Sequence, residues 1–269
     1  STQSRSSAAS DVYKRQKGGL AFLAVYNDLV FDMKANDTAR EFFKEKIAQR
    51  VNDPELAKKL VPVTPIGCKR LCVDSDYYEI YNQDHVKLVD LKQTPITEIN
   101  GDTVVTSGGE YKVDAIILAT GFDAMTGAIT NVDIQGEGGK KLQDKWAPGP
   151  KAYLGLATAG FPNLFIVTGP GSPSVLSNML PSIEQHVEWI SDCIEYMNDN
   201  QHVAIRVDQQ AGEEWVSHVN EVAQTSVYPG CNSWYMGANV EGITRVFMPS
   251  LGVPPFVEKC NQVVAAGYE

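Results

Sequence analysis

No run of apolar residues in this 269-residue chain approaches the roughly 20 needed to cross a bilayer. No charged-then-apolar signal segment opens it either, so the chain is expected to be cytosolic, with no membrane partner. Basic residues are in deficit: 23 Lys and Arg stand against 33 Asp and Glu, a formal net charge of -10. Such a surface repels a phosphate polyanion, which argues against nucleic acid and requires that any nucleotide be met by a local cationic site. Histidine is scarce, and His85, His186, His202 and His218 show no H-E-x-x-H spacing, so a metal site has no support and the four are expected on the surface or in core packing. The cysteines, Cys68, Cys72, Cys193, Cys231 and Cys260, are odd in number and irregularly spaced. Cys68 and Cys72 lack the second Cys or His pair that would complete a zinc site, so buried free thiols are expected.

A dinucleotide fingerprint is also missing. The nearest match, Gly169-Pro170-Gly171-Ser172-Pro173-Ser174, carries two prolines where the motif needs free backbone N–H groups and a small residue for helix packing. Pyrophosphate binding is therefore not expected in this loop.

What is present reads as globular, since 43% hydrophobic and 21% charged residues are enough to build a core. Residues 6–16, SSAASDVYKRQ, have no hydrophobic period and resemble the translation of a sequencing adapter; residues 1–16 are expected to be a non-native tail. From Gly18 the pattern turns helical, first in LAFLAVYNDLVFDM. A second helix is expected after Asp37 as cap, in TAREFFKEKIAQRV, with Ala39, Phe42, Phe43, Ile47 and Val51 on one face. Asp53-Pro54 predicts the start of a third, ELAKKL.

Residues 61–69 form a boundary loop, after which strand-like pieces follow at 86–91, 95–99 and 102–107, with GGEY as a turn. Two apolar runs, Val113–Phe122 and Phe161–Pro170, are expected as strands covered on both faces. Between Pro181 and Asn198, the residues Ile183, Val187, Ile190, Ile194 and Met197 fall at steps of four, three, four and three, which predicts an amphipathic helix. Buried strands ending in Gly-rich turns, one leading into a helix, suggest an open parallel sheet with its active region near Thr120 and Gly169.

Three features stand out as candidates for chemistry. Lys69-Arg70 is a cation pair in an acidic chain, able to hold an oxyanion, with surface salt-bridging as the plain alternative. Trp234, in Ser233-Trp234-Tyr235-Met236-Gly237, is either a core residue or a flat lid over a cofactor. The loop from Ser172 to Leu180 either connects strand to helix or aims the helix's positive end at an electron-rich ring.

The segments KRL at 69–71, YYEIYN at 77–82, LATGFDAMTGA at 118–128, GFPNLFIVTGPGSPSVLSNML at 160–180, SIEQHVEWI at 182–190 and SWYMGANV at 233–240 together resemble the type I Baeyer-Villiger monooxygenases, the phenylacetone monooxygenase branch in particular. The resemblance runs from about Gly18 to Glu269. It implies an α/β fold, part of a flavoprotein monooxygenase built on two dinucleotide-binding domains, with a helical segment first, then parallel-sheet pieces and C-terminal helices. Residues 17–67 would be the helical insertion of the NADPH domain, 68–114 the C-terminal part of that domain, and 115–269 the C-terminal part of the FAD domain.

In that family FAD and NADPH are the cofactors, and one oxygen atom from O2 is inserted into a ketone to give an ester or lactone. The resemblance makes Arg70 the catalytic arginine. Lys69 and Trp234 would contact NADP, Thr120, Gly121 and Met179 would contact the flavin, and Ser174, Val175 and Leu176 would line the substrate pocket. Ser250-Leu251-Gly252-Val253-Pro254-Pro255 departs from the family's usual glycine pair followed by aromatic and basic residues. The family's N-terminal glycine motifs and active-site aspartate have no counterpart in this sequence, so the missing N-terminal half is an expected partner, and the chain alone is expected to be inactive. The alternatives are an N- or S-oxygenating flavin monooxygenase and a non-catalytic partial domain.

Overall fold

The computed structural model describes Tyr26 and residues 28–173, 177–238 and 252–268. The chain divides into two compact units. One comprises residues up to Asn36, Thr64–Leu71 and Phe122 onward; the other comprises Asp37–Val63 and Cys72–Gly121.

Helix α1 spans Met33–Arg50, and α2 spans Pro54–Leu60. The predicted cap Asp37 lies inside α1, where its carboxylate meets Arg40 at 3.0 Å. Asp32 caps instead, its Oδ1 accepting from the N–H groups of Lys34 at 2.7 Å and Ala35 at 3.4 Å. Of the segment expected as a helix before it, residues 20–25 and Asn27 lie outside the described residues, and Asp28–Phe31 form turns. The start at Asp53 is as expected: its carboxylate accepts from Glu55 N–H at 2.9 Å, and Pro54 supplies the first turn.

In the smaller unit, Ile47, Val51 and Ala57 form the core with Leu56, Leu60 and Tyr78 around them. The C-terminal end of α1 is tied to the 74–82 segment by polar contacts. Arg50 meets Glu79 at 2.9 Å and Asp74 at 3.4 Å, and Asn82 Nδ2 donates to Arg50 O at 2.7 Å.

The sheet of this unit has three strands, β1 (Ile96–Asn100), β2 (Thr103–Thr106) and β3 (Gly109–Lys112), in sequential order. Both pairings are antiparallel, with Asn100 opposite Thr103 and Thr106 opposite Gly109. This corrects three expectations. GGEY belongs largely to β3, residues 86–91 form no strand, and the sheet among the described residues is not parallel.

The two apolar runs are not strands either. In Val113–Phe122 the side chains of Ile117, Leu118 and Phe122 are 90%, 76% and 89% exposed. A strand needs a neighbour to take its backbone hydrogen bonds, and neither run has a ladder partner among the described residues. Phe161–Pro170 folds instead as turns whose Phe161 and Ile166 enter a core with Leu142, Trp146 and Ala152.

The larger unit adds the short helices α3 (Gly127–Thr130) and α4 (Leu142–Trp146), then α5 (Met179–Asp199), α6 (Gln209–Gln224) and α7 (Val253–Ala265). Trp189 and Cys193 of α5, Trp215 and Val219 of α6, and Phe256 and Cys260 of α7 close around Leu154 and Leu156. Trp189 Nε1 donates to Cys260 O at 3.3 Å, which satisfies the indole while its ring fills the core.

Helix α5 forms where expected but buries a different stripe: Ser182, His186, Trp189 and Cys193 face inward, while Val187 and Ile194 are exposed. The two stripes are adjacent rows, one residue or about 100° apart. The large Trp189 ring and the hydrogen bond to His186 decide between them.

Candidate functional site

Lys69 and Arg70 both lie exposed on the loop that follows Cys68. A buried polar side chain fixes that loop. Asn36, fully buried, donates from Nδ2 to Leu29 O and Ile66 O at 2.9 Å each, and its Oδ1 accepts from Ile66 N–H at 2.9 Å. Both amide hydrogens and one lone pair of the amide oxygen are therefore used, and the two bonds to Ile66 hold residues 66–68 against the first turn of α1. Gly67 adopts a positive φ of 95°, and Cys68 N–H returns to Pro65 O at 3.2 Å, closing the turn just before Lys69.

A covalent link adds to this. Cys68 and Cys231 form a disulfide with a Cα–Cα distance of 5.4 Å, across 163 residues of sequence. The expectation of free thiols is corrected for this pair; Cys193 and Cys260 are buried thiols, and Cys72 is an exposed thiol outside any disulfide. Burial pushes the Cys193 and Cys260 thiols up to about 11 each, which suits packing rather than reactivity. The bridge sits in a core cluster with Ala223, Tyr228, Tyr235 and Met236, against which Trp234 packs. The Tyr228 hydroxyl is pushed up to about 12, first by burial and then by neighbouring Tyr235.

Trp234 occupies a tight turn: Met236 N–H and Ala238 N–H both return to the carbonyl of buried Ser233, at 3.0 and 3.1 Å. Its indole Nε1 donates to Phe122 O at 2.9 Å, and its ring meets Tyr235 edge to face at 6.2 Å. The bridge thus joins the segment that ends in Lys69 and Arg70 to the segment that ends in Trp234. Met179 is the half-buried first residue of α5, behind the cap Asn178, whose Oδ1 accepts from Leu180 N–H at 3.2 Å.

Thr120 and Gly121 belong to the smaller unit and are exposed. Gly121 has φ +81°, and nothing lies within 4 Å of the position a Cβ would take. Ser174, Val175 and Leu176 lie outside the described residues.

The Gly169–Pro173 turn is closed on its own chain. Gly169 N–H donates to Gly155 O at 3.1 Å, Ser172 Oγ donates to Gly169 O at 2.7 Å, and Trp215 Nε1 donates to Gly171 O at 3.1 Å. A Cβ on Gly155 would stand 2.7 Å from Gly169 O. The loop is a packed corner with its polar atoms directed inward, not an anion cradle.

Beneath it lies His186, fully buried, whose Nδ1 accepts from Thr168 N–H at 2.8 Å. Burial lowers its pKa to about 4. No cluster of three or more His, Cys, Asp or Glu suited to a metal occurs among the described residues, and none of their helices is long and apolar enough to cross a membrane.

Sequence reasoning missed Asn36, the Cys68–Cys231 pair and the carbonyl of Phe122. Asn36 could have been noticed as a polar residue in register with Phe43 and Ile47 on the inward stripe of α1. Nothing in the sequence says which carbonyls it meets.

No family model matches the chain. It is 38% identical over 257 residues to cyclopentanone 1,2-monooxygenase of a Comamonas species, covering 93% of this chain and 46% of that protein. It is 37% identical over 254 residues to a Baeyer-Villiger monooxygenase of Pseudooceanicola batsensis, again covering 93% and 46%. Phenazine N-monooxygenase of Lysobacter antibioticus is 39% identical over 254 residues, with the same coverage of 93% and 46%.

Among solved structures, the closed crystal structure of cyclohexanone monooxygenase superposes with a TM-score of 0.91 at 36% identity, over 97% of this chain and 50% of that one. OTEMO in complex with FAD and NADP superposes with a TM-score of 0.86 at 36% identity, over 91% and 45%. The chain spans about half the length of the relatives it matches.

Proposed function

Because the chain belongs to the Baeyer-Villiger monooxygenase family, we propose that it is the part of such an enzyme carrying the catalytic arginine and one wall of the NADP site. The whole enzyme converts a ketone to an ester or lactone with O2, FAD and NADPH. Residues 17–67 are assigned to the helical insertion of the NADPH domain, 68–114 to the rest of that domain present here, and 115–269 to the C-terminal part of the FAD domain.

The observation that carries the reading is the covalent and hydrogen-bonded frame under Arg70 and Trp234. Asn36 and Cys68 hold the Arg70 loop, and Cys231 and Ser233 hold the Trp234 turn. A guanidinium retains its charge at any working pH and offers a fork of donors, so on a fixed loop it stabilises negative charge developing on oxygen as a ketone carbonyl is attacked. A fixed site needs no reorganisation at that moment.

The donor set suits NADP. Lys69 beside Arg70 gives the local cationic site that a chain of charge -10 requires for a phosphate-bearing ligand. Trp234, whose N–H is already committed to Phe122 O, presents a ring of fixed orientation for stacking.

For FAD the fit is partial. In the smaller unit, Gly121 is open where a Cβ would stand, which leaves room for a flat group beside Thr120; the flavin contact assigned to Met179 of the larger unit rests on the resemblance. The flavin phosphates find no cradle in the closed Gly169–Pro173 turn. When bound, FAD reduced by NADPH supplies the oxygen-activating chemistry. Ser174, Val175 and Leu176 are assigned to the ketone pocket on resemblance alone, and the chain by itself is expected not to turn over ketones.

The test is a chimera in which this chain replaces the matching span of the Comamonas cyclopentanone monooxygenase, assayed for NADPH-dependent lactone formation. Activity is expected, with a fall of about 10^2-fold or more for Arg70→Ala, the scale of losing one transition-state donor. A folded, FAD-loaded chimera that N-oxygenates a phenazine but leaves ketones untouched would overturn the reading. Ketone turnover by the isolated chain would overturn its expected inactivity.

A further inference from the structure

The disulfide joins two segments that the sequence keeps 163 residues apart. One half-cystine lies two residues before Arg70 and the other three residues before Trp234. Both are buried, at 0% and 1% exposure, and their Cα separation of 5.4 Å lies within the ordinary range for a bridge.

The site also accommodates thiols. Val227 O lies 3.5 Å from Cys231 Sγ and can accept its hydrogen, and the apolar surroundings of Ala223 and Met236 suit a neutral S–H. The two segments also share that apolar cluster, and Val227 N–H donates to Val30 O at 2.8 Å, while the Asn36 hydrogen bonds reach the Cys68 side and those to Ser233 O close the Trp234 turn on itself; the bridge is the covalent fastening between them.

We propose that Cys68 and Cys231 are a redox-operated lock, which clamps the Arg70 and Trp234 segments together when oxidised and releases them when reduced. Only its functional meaning rests on the roles given to Arg70 and Trp234 above. In the closing step the two thiols lose two protons and two electrons to a low-molecular-weight disulfide, which leaves as two thiols while one S–S bond forms; a dithiol reductant reverses it. The chain would then bind NADP in proportion to the oxidation state of this pair.

The experiment uses the whole chain, incubated with oxidised glutathione or with a phosphine reductant. Mass spectrometry of alkylated peptides reports the bridge, and hydrogen exchange is followed over residues 64–71 and 228–238. On reduction, amides in both segments are expected to exchange about 10-fold faster or more, as a constrained region passes to local opening. The double variant Cys68→Ser, Cys231→Ser is expected to exchange at the reduced rate in either buffer.

Absence of a Cys68–Cys231 peptide under oxidising conditions, or unchanged exchange once the bridge is shown to be open, would refute the lock. If the double variant does not fold, the redox comparison on the unmodified chain decides. NADP titration of both forms, read by tryptophan fluorescence, bears on function separately: binding by neither form counts against the proposed NADP wall, while the exchange result alone decides the lock.

Discussion

His186 makes the larger unit sensitive to mild acid. Its ring is fully buried against Phe256, with centroids 5.5 Å apart, and its Nδ1 accepts the Thr168 N–H at 2.8 Å. A proton must therefore go onto the one nitrogen that is already an acceptor, turning a hydrogen bond into two donors facing each other. Burial lowers the pKa from 6.5 to about 4. In the unfolded chain the imidazole binds its proton near pH 6.5, so between the two values the unfolded state holds more protons and stability falls as the pH falls. The slope is at most about 1.4 kcal/mol per pH unit, or about 2 kcal/mol between pH 6.5 and 5.0 and about 3 kcal/mol if carried to pH 4. Above about pH 7.5 the group contributes almost no pH dependence.

The control is His186→Gln, which keeps an acceptor for Thr168 N–H and cannot titrate. Urea unfolding is followed by tryptophan fluorescence, which reads this unit because Trp146, Trp189, Trp215 and Trp234 all lie within it. Carboxylates such as Asp133, held below the usual range by Lys141 and Gln135, titrate equally in both proteins and cancel in the difference. Wild type is expected to lose about 2 kcal/mol more than the variant between pH 6.5 and 5.0. Parallel pH profiles for the two proteins would refute the argument.

The closed corner at Gly155 and the anchor at Asn36 give two further tests. Gly155→Ala places a Cβ 2.7 Å from Gly169 O and 2.8 Å from Ser172 Cβ at a φ of +69°; a loss of about 1–3 kcal/mol or more is expected in urea unfolding, and a neutral result would show that the corner gives way. Asn36→Ala strips Ile66 N–H and two carbonyls of their partner in a buried site, which should cost about 1–3 kcal/mol and speed hydrogen exchange at Ile66; exchange as slow as in the wild type would show that the bridge alone fixes the loop.

The elements legible in the sequence are those whose cause is local. Asp53 followed by Pro54 starts a helix because a carboxylate accepts an orphan N–H and proline removes another, and both partners lie within two residues. The β1–β2 hairpin turns at Gly101, where φ is +59°, and its strands pair across that single turn. The cysteines mark the opposite case. Composition and spacing favour free thiols, and nothing local says that residues 68 and 231 meet across 163 positions. The candidate site divides along the same line: Arg70 and Trp234 can be picked out by residue type, while Asn36 and the disulfide that support them are visible only in three dimensions.

The apolar runs show why a correct pattern can still yield the wrong element. Ala115–Leu118 has the composition of a strand buried on both faces, yet Ile117 and Leu118 stand 90% and 76% exposed. An apolar run states what a segment is suited to bury; a strand also requires a neighbour on at least one edge, because its N–H and C=O groups point sideways, out of the segment. β1, β2 and β3 meet that requirement among themselves, and no described segment meets it at 115–118. Helix α5 needs no neighbour for its backbone, so it forms as the period predicts, and only the choice of its buried face depends on tertiary contacts. Two adjacent rows compete there, one aliphatic and one built on Trp189 and Cys193 with the polar Ser182 and His186. The row with Trp189 wins because one indole removes more surface from water than the aliphatic side chain of Val187 or Ile194 would at the same place.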